Sequence, residues 1–168
     1  MGGGTRQQAT GKMMASLDVG AAAPEFDLAS EEGPLRLADL RGRKLVLYFY
    51  PKDDTTGCTR EAVDFTGLAA EFAKADTVVI GVSKDSVAKH AKFRAKYELG
   101  VKLASDPEGE VIERYGSWVE KTLYGRKYMG IDRSTFLIGR DGTIARIWRK
   151  VKVPGHAQAV LEAAQGLS

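Results

Sequence analysis

Apolar positions in this chain fall into short unbroken runs and into helical repeats. The longest run, Leu45-Val46-Leu47-Tyr48-Phe49-Tyr50, has six residues and is closed by Pro51. A run of that length predicts a strand buried on both faces. It is far too short to cross a bilayer, and nothing else in the chain is longer. Phe65, Leu68, Ala69 and Phe72 then recur at helical spacing, which predicts a helix opened by Cys58. Residues 77–82 read as a second buried strand. Residues 86–97, with Val87, Ala91, Phe93 and Arg94, read as a charged helix. Ser105-Asp106-Pro107 punctuates the pattern, and residues 107–115 read as a short helix with proline in its first turn. Residues 135–138 and 143–148 flank the turn Arg140-Asp141-Gly142 and predict a hairpin. A helix over 156–164 closes the chain. The alternation, with room for a further strand between the second and third helices, implies an α/β fold with a mixed central sheet flanked by helices.

Residues 1–13 stand apart. They carry Gly2-Gly3-Gly4 and then Thr5, Arg6, Gln7 and Gln8, with no hydrophobic period. The stretch lacks the apolar centre of a secretory signal. It reads as a leader of vector origin before a start at Met13 or Met14, with a natural disordered arm as the alternative. The domain is then expected over residues 14–168.

Composition narrows the function. Hydrophobic residues make up 43% and charged residues 28% of the 168, an ordinary mix for one folded domain with its own core. Of the formal charge of +3, Arg6 and Lys12 in the leader supply two. The remainder gives no electrostatic case for nucleic acid or an acidic surface as partner. A single cysteine excludes an internal disulfide and any multi-cysteine metal centre. Two histidines far apart in sequence make a metal site hard to build, and neither metal nor cofactor is expected.

The candidate chemistry centres on Cys58. A lone cysteine is usually a small core residue. Cys58, however, follows a buried strand across the loop 51–57 and opens a helix. A helix start offers free N–H groups and the positive end of the macrodipole, which favour an anion such as a thiolate. Strand ends in α/β sheets are also where ligand sites gather. Position alone leaves the reactive and structural readings level.

Spacing removes three cysteine chemistries. A thioredoxin-type dithiol needs a second cysteine, and Arg60-Glu61 offers none. A cysteine phosphatase loop needs an arginine where Asp64 stands. A Cys–His hydrolase would have to use His90, in a lysine-rich helical segment, or His156, beside Pro154-Gly155. Both histidines are expected to be exposed rather than catalytic.

The segment Tyr50-Pro51-Lys52-Asp53-Asp54-Thr55-Thr56-Gly57-Cys58-Thr59 resembles the Pro-x-x-x-Thr-x-x-Cys motif of the peroxiredoxins. The wider pattern is similar to the bacterioferritin comigratory protein subfamily, also called peroxiredoxin Q. It includes Ala23-Pro24-Glu25-Phe26, Gly81-Val82-Ser83-Lys84-Asp85 and Leu103-Ala104-Ser105-Asp106. It continues through Tyr124-Gly125-Arg126-Lys127-Tyr128-Met129-Gly130-Ile131 and Arg133-Ser134-Thr135-Phe136-Leu137-Ile138. The resemblance covers about residues 19–161. It implies a thioredoxin-like fold with peroxiredoxin additions, and a thiol peroxidase acting on hydrogen peroxide or alkyl hydroperoxides. The alternative is a thioredoxin-fold redox sensor or binding module that does not turn over.

Carried over by position, Cys58 would be the peroxidatic cysteine, oxidised to sulfenic acid. Thr55 would hold its hydroxyl toward thiolate and peroxide, unless it merely caps the helix. Pro51 and Gly57 would line the substrate pocket, Pro51 shielding the thiolate. Arg133 would reach the site from a distant strand and orient the peroxide. Glu61 would hold Arg133 by a charged hydrogen bond. Two positions depart from the subfamily. Thr56 stands where proline is frequent, and Val63 where many members carry a second cysteine. A one-cysteine enzyme is therefore expected, its sulfenic acid cleared by an external thiol such as thioredoxin, glutaredoxin or a small thiol. The chain is expected to work as a cytoplasmic monomer.

Overall fold

In a computed structural model that describes residues 17–168, the run beginning at Leu45 forms an interior strand of a seven-stranded sheet. The expectation for residues 1–13 falls outside the described residues. The strands are β1 (Asp27–Ser30), β2 (Leu35–Arg36), β3 (Lys44–Phe49), β4 (Thr77–Ser83), β5 (Lys102–Ser105), β6 (Trp118–Leu123), β7 (Arg126–Ile131), β8 (Ser134–Ile138) and β9 (Ile144–Trp148). The helices are α1 (Thr56–Gly67), α2 (Ala69–Lys74), α3 (Val87–Tyr97), α4 (Glu110–Arg114) and α5 (His156–Gln165), with a 3-10 turn at Leu37–Leu40. Sheet order is β2-β1-β5-β4-β3-β8-β9, and β6 and β7 pair separately. The architecture is the mixed α/β sheet that the alternation implies.

β3 lies parallel to β4 and antiparallel to β8. Every residue of β3 is buried, as its continuous apolar run requires. Alternate side chains enter two cores. Leu45, Leu47 and Phe49 pack with Phe26, Ile80, Ile112, Tyr115 and Phe136 on one face. Val46, Tyr48 and Tyr50 pack with Cys58, Phe65, Phe72, Phe93 and Val160 on the other. The second face carries α1, α2, α3 and α5. Tyr48 stacks on Phe65 of α1 with ring centroids 4.8 Å apart. That stack needs Gly81 on β4, where a Cβ would lie 2.6 Å from Cζ of Tyr48. Lys44 donates to the carbonyls of Ala164 and Leu167, at 2.7 and 2.8 Å, tying the chain's last helix to the sheet.

Several expectations need correction. The helix expected to carry Phe65 through Phe72 is two helices, broken at Leu68. The helix expected over 107–115 is shorter, Glu110–Arg114, because the residues from Pro107 to Gly109 form its entry turn. The β1–β2 pair and the β6–β7 hairpin were not expected at all. The hairpin turns at Tyr124 and Gly125, both at positive φ (52° and 77°). That is the backbone of a two-residue type I′ turn, with tyrosine where asparagine or aspartate is usual.

Both histidines are buried, contrary to expectation. His90, 0% exposed, faces the Asp53 carboxylate through Nδ1 at 2.7 Å and the Ala104 carbonyl through Nε2 at 3.1 Å. His156 hydrogen-bonds Thr135 at 2.8 Å and packs edge-on against Phe65 and Trp148. Each turns inward because a polar partner and aromatic packing wait there. Lysines on the same helix say nothing about the buried side.

Candidate functional site

The loop after β3 is held by buried hydrogen bonds before it reaches Cys58. Asp53 accepts from the Tyr50 hydroxyl at 2.5 Å, lies against His90 on α3, and donates its N–H to Asp85 at 2.8 Å. Asp85 also accepts from the Ser83 hydroxyl at the end of β4, at 2.8 Å. The loop is thus tied to β4 and α3 together. Asp54 sits at φ 61°, with its carboxylate bound by Lys96 and Tyr97 at 2.9 and 2.6 Å. These contacts fix where α1 begins.

Cys58 falls in the first turn of α1, which carries no acidic residue there. The positive end of the helix dipole therefore favours an anion at Cys58, with no acidic side chain in the first turn to offset it. Cys58 is free and 2% exposed. Its sulfur accepts from Nη2 of Arg133 at 3.4 Å, and Nη1 of the same guanidinium donates to Glu61 at 2.7 Å. Arg133 lies between β7 and β8 and is delivered to α1 by the pairing of β8 with β3. Gly57 makes room for it, since a Cβ there would sit 3.1 Å from Nη2. The structure brings Cys58, Glu61, Arg133 and Gly57 together.

Glu61, 1% exposed, has one oxygen on Arg133 and the other, Oε2, without a partner among the described residues. Burial pushes its carboxyl up to about 7, against the pull of the Arg133 charge and with a smaller push from Asp64. Among the described residues the Tyr48 hydroxyl is likewise buried without a partner. Burial, and then the nearby Glu61 charge, hold it well above its ordinary range. His156 is pushed down to about 4 by burial and by the Arg133 charge. It is neutral at physiological pH and turned to Thr135, not to Cys58.

Thr55 stands at the N-cap of α1 in extended conformation, but its side chain caps nothing. Its hydroxyl donates to the Lys52 carbonyl at 2.9 Å, leaving its lone pairs free to accept. Thr55 lines an open groove of about 520 Å³ with Asp54, Thr56, Thr59, Val63 and Tyr97. Pro51 ends β3 and is exposed. Val63, 43% exposed, lies on the outer side of α1. The buried Asp53–His90 pair escaped the sequence reading. Its only signal is an acid in the loop and a histidine on a helix whose other ionic residues are outward.

The described residues contain no helix long and apolar enough to cross a membrane. Residues 19–147 match the AhpC/TSA family. The chain is 50% identical to the putative peroxiredoxin Bcp of Coxiella burnetii, over 87% of this chain and 97% of that protein. It is 44% identical to the peroxiredoxin Bcp of Bacillus subtilis, over 91% of this chain and 98% of that protein. Among solved structures it superposes on the bacterioferritin comigratory protein of Xanthomonas campestris. The TM-score is 0.82 and the identity 41%, covering 88% of this chain and 98% of that one; that structure concerns the Xanthomonas protein's alkyl peroxide reduction. The mixed sheet with its flanking helices is the thioredoxin-like fold of these relatives.

Proposed function

Because the chain belongs to the AhpC/TSA family and is a peroxiredoxin, an oxidoreductase of the thiol-peroxidase type, we propose that Cys58 is its peroxidatic residue. The observation that carries this assignment is the single guanidinium of Arg133, shared between the Cys58 sulfur and Glu61. The Cys58 thiolate attacks one oxygen of the peroxide. An S–O bond forms as the O–O bond breaks, sulfur gives up two electrons, and the leaving oxygen takes a proton to become water or an alcohol. Arg133 stabilises charge developing on that leaving oxygen. The Thr55 hydroxyl accepts the peroxide's hydrogen, and Pro51 and Gly57 border the space where the peroxide enters.

Cys58 is the sole cysteine, so its sulfenic acid must be reduced from outside. One thiol displaces water to form a mixed disulfide, and a second thiol releases Cys58. We assign that role to thioredoxin, glutaredoxin or a small thiol, and place the enzyme in a reducing compartment such as the cytoplasm. It acts as a monomer, a reading supported by a site completed within one chain. Peroxide consumption with each reductant tests the proposal. Many turnovers per chain are expected with at least one reductant, and none after Cys58→Ser. One turnover with every reductant would mark a redox sensor instead.

Thr55 has its own test. A hydrogen bond to a charged reacting group is worth roughly 1.5–3 kcal/mol. Thr55→Val should therefore lower the peroxide rate by about one to two powers of ten, and Thr55→Ser much less. Equal losses in both would assign Thr55 to packing of the loop.

A further inference from the structure

Two acidic groups and one cation share the buried end of α1. Arg133 donates to Glu61 at 2.7 Å and to Cys58 at 3.4 Å. If both were ionised, one buried positive charge would face two negative ones. The unpartnered Oε2 of Glu61 argues the same way, since a buried carboxylate oxygen with no donor is costly while a protonated carboxyl is less so. We propose that Glu61 is the charge-balancing residue of the redox cycle, holding a proton while Cys58 is a thiolate and releasing it when Cys58 becomes sulfenic acid. This rests on the assignment of Cys58 as the peroxidatic residue.

The surroundings agree. Asp64, also on α1, pushes the Glu61 carboxyl up, as burial does, and Arg133 alone pulls it down. Tyr48 from β3 is held neutral beside them, and His156 on α5, which senses Arg133, is neutral as well. Burial holds the Glu61 carboxyl at about 7 against the Arg133 charge, and a negative charge on the sulfur sharing that guanidinium would push it further up. Oxidation removes that charge.

The balance can be written out. In the wild type, thiolate, protonated Glu61 and hydrogen peroxide give sulfenic acid, ionised Glu61 and water. The net charge of the site is unchanged and there is no net uptake of protons from solvent, because the proton that Glu61 releases offsets the one that the leaving hydroxide takes up. With Glu61→Gln the leaving hydroxide has no such compensation, and one proton per chain must come from solvent. Glu61 acts through Arg133, so it is a positioning residue and does not itself meet the peroxide.

The test uses the reduced full-length protein carrying carboxyl-labelled glutamate, with infrared difference spectra recorded just above neutral pH on adding stoichiometric hydrogen peroxide. A protonated-carboxyl band assigned to glutamate should be present before peroxide and lost as Cys58 gains the mass of one oxygen. Proton uptake, followed with a pH indicator, should be a small fraction of one per chain in wild type and close to one in E61Q. An unchanged or absent glutamate band, or equal uptake in both proteins, would overturn the inference while leaving Cys58 as the peroxidatic residue. Failure of Cys58 to gain oxygen would bring down both. If E61Q does not fold, the labelled wild-type band decides alone.

Discussion

Arg133→Ala should slow peroxide reduction by about two to three powers of ten, the loss typical of removing one preorganised donor from a site where oxyanion charge develops. The Arg133 guanidinium is the only side chain hydrogen-bonded to the Cys58 sulfur among the described residues. It is also the only hydrogen-bond partner of the Glu61 carboxyl among the described residues. The stability loss should be smaller than for a broken buried ion pair, about 1–3 kcal/mol. The reason is that Glu61, already held at about 7, can take up a proton when its cation is removed. Arg133→Lys should recover part of the stability but little of the rate, because an ammonium has no fork to reach Glu61 and Cys58 together. Stopped-flow peroxide kinetics and urea denaturation separate the two effects. An alanine variant with wild-type peroxide kinetics would remove Arg133 from the mechanism.

The second large effect is expected away from the sulfur. His90→Ala should destabilise the fold by about 3–5 kcal/mol, because it opens a cavity in the core and leaves Oδ2 of Asp53 buried without its hydrogen-bond partner. The two side chains are 0% and 1% exposed and 2.7 Å apart. Asp53 also organises Tyr50 and Asp85. The loss should therefore spread to the loop 51–57 and lower peroxide activity even where the variant remains folded. Urea midpoints at unchanged m-value measure the first effect. A loss under about 1 kcal/mol would show that the pair does not anchor the loop.

What could be read from the sequence follows burial. β3 and β4 leave continuous apolar runs, α5 leaves a helical period, and β8 and β9 flank a turn with Gly142, so their patterns are visible in one dimension. The β6–β7 hairpin leaves none, because most of its side chains are exposed, Leu123, Tyr128 and Met129 included. Its turn uses Tyr124-Gly125 in place of a stronger turn pair. The break at Leu68 is equally hidden, since Phe65 and Phe72 keep helical spacing across it. At the site, Cys58 at a helix start could be argued from local pattern. Arg133 could not, as it stands 75 residues away and only the pairing of β8 with β3 brings it near. Resemblance to the peroxiredoxins supplied that residue. Neither pattern nor resemblance pointed to His90, whose partner Asp53 is 37 residues distant.

Intact-mass analysis of the reduced protein after one equivalent of hydrogen peroxide addresses the role of Cys58 most directly. The expected result is the gain of one oxygen, mapped to Cys58, with no disulfide formed, full return to the starting mass on adding an external thiol, and no gain in Cys58→Ser. A chain whose mass does not change under peroxide, or whose oxygen maps elsewhere, would contradict it.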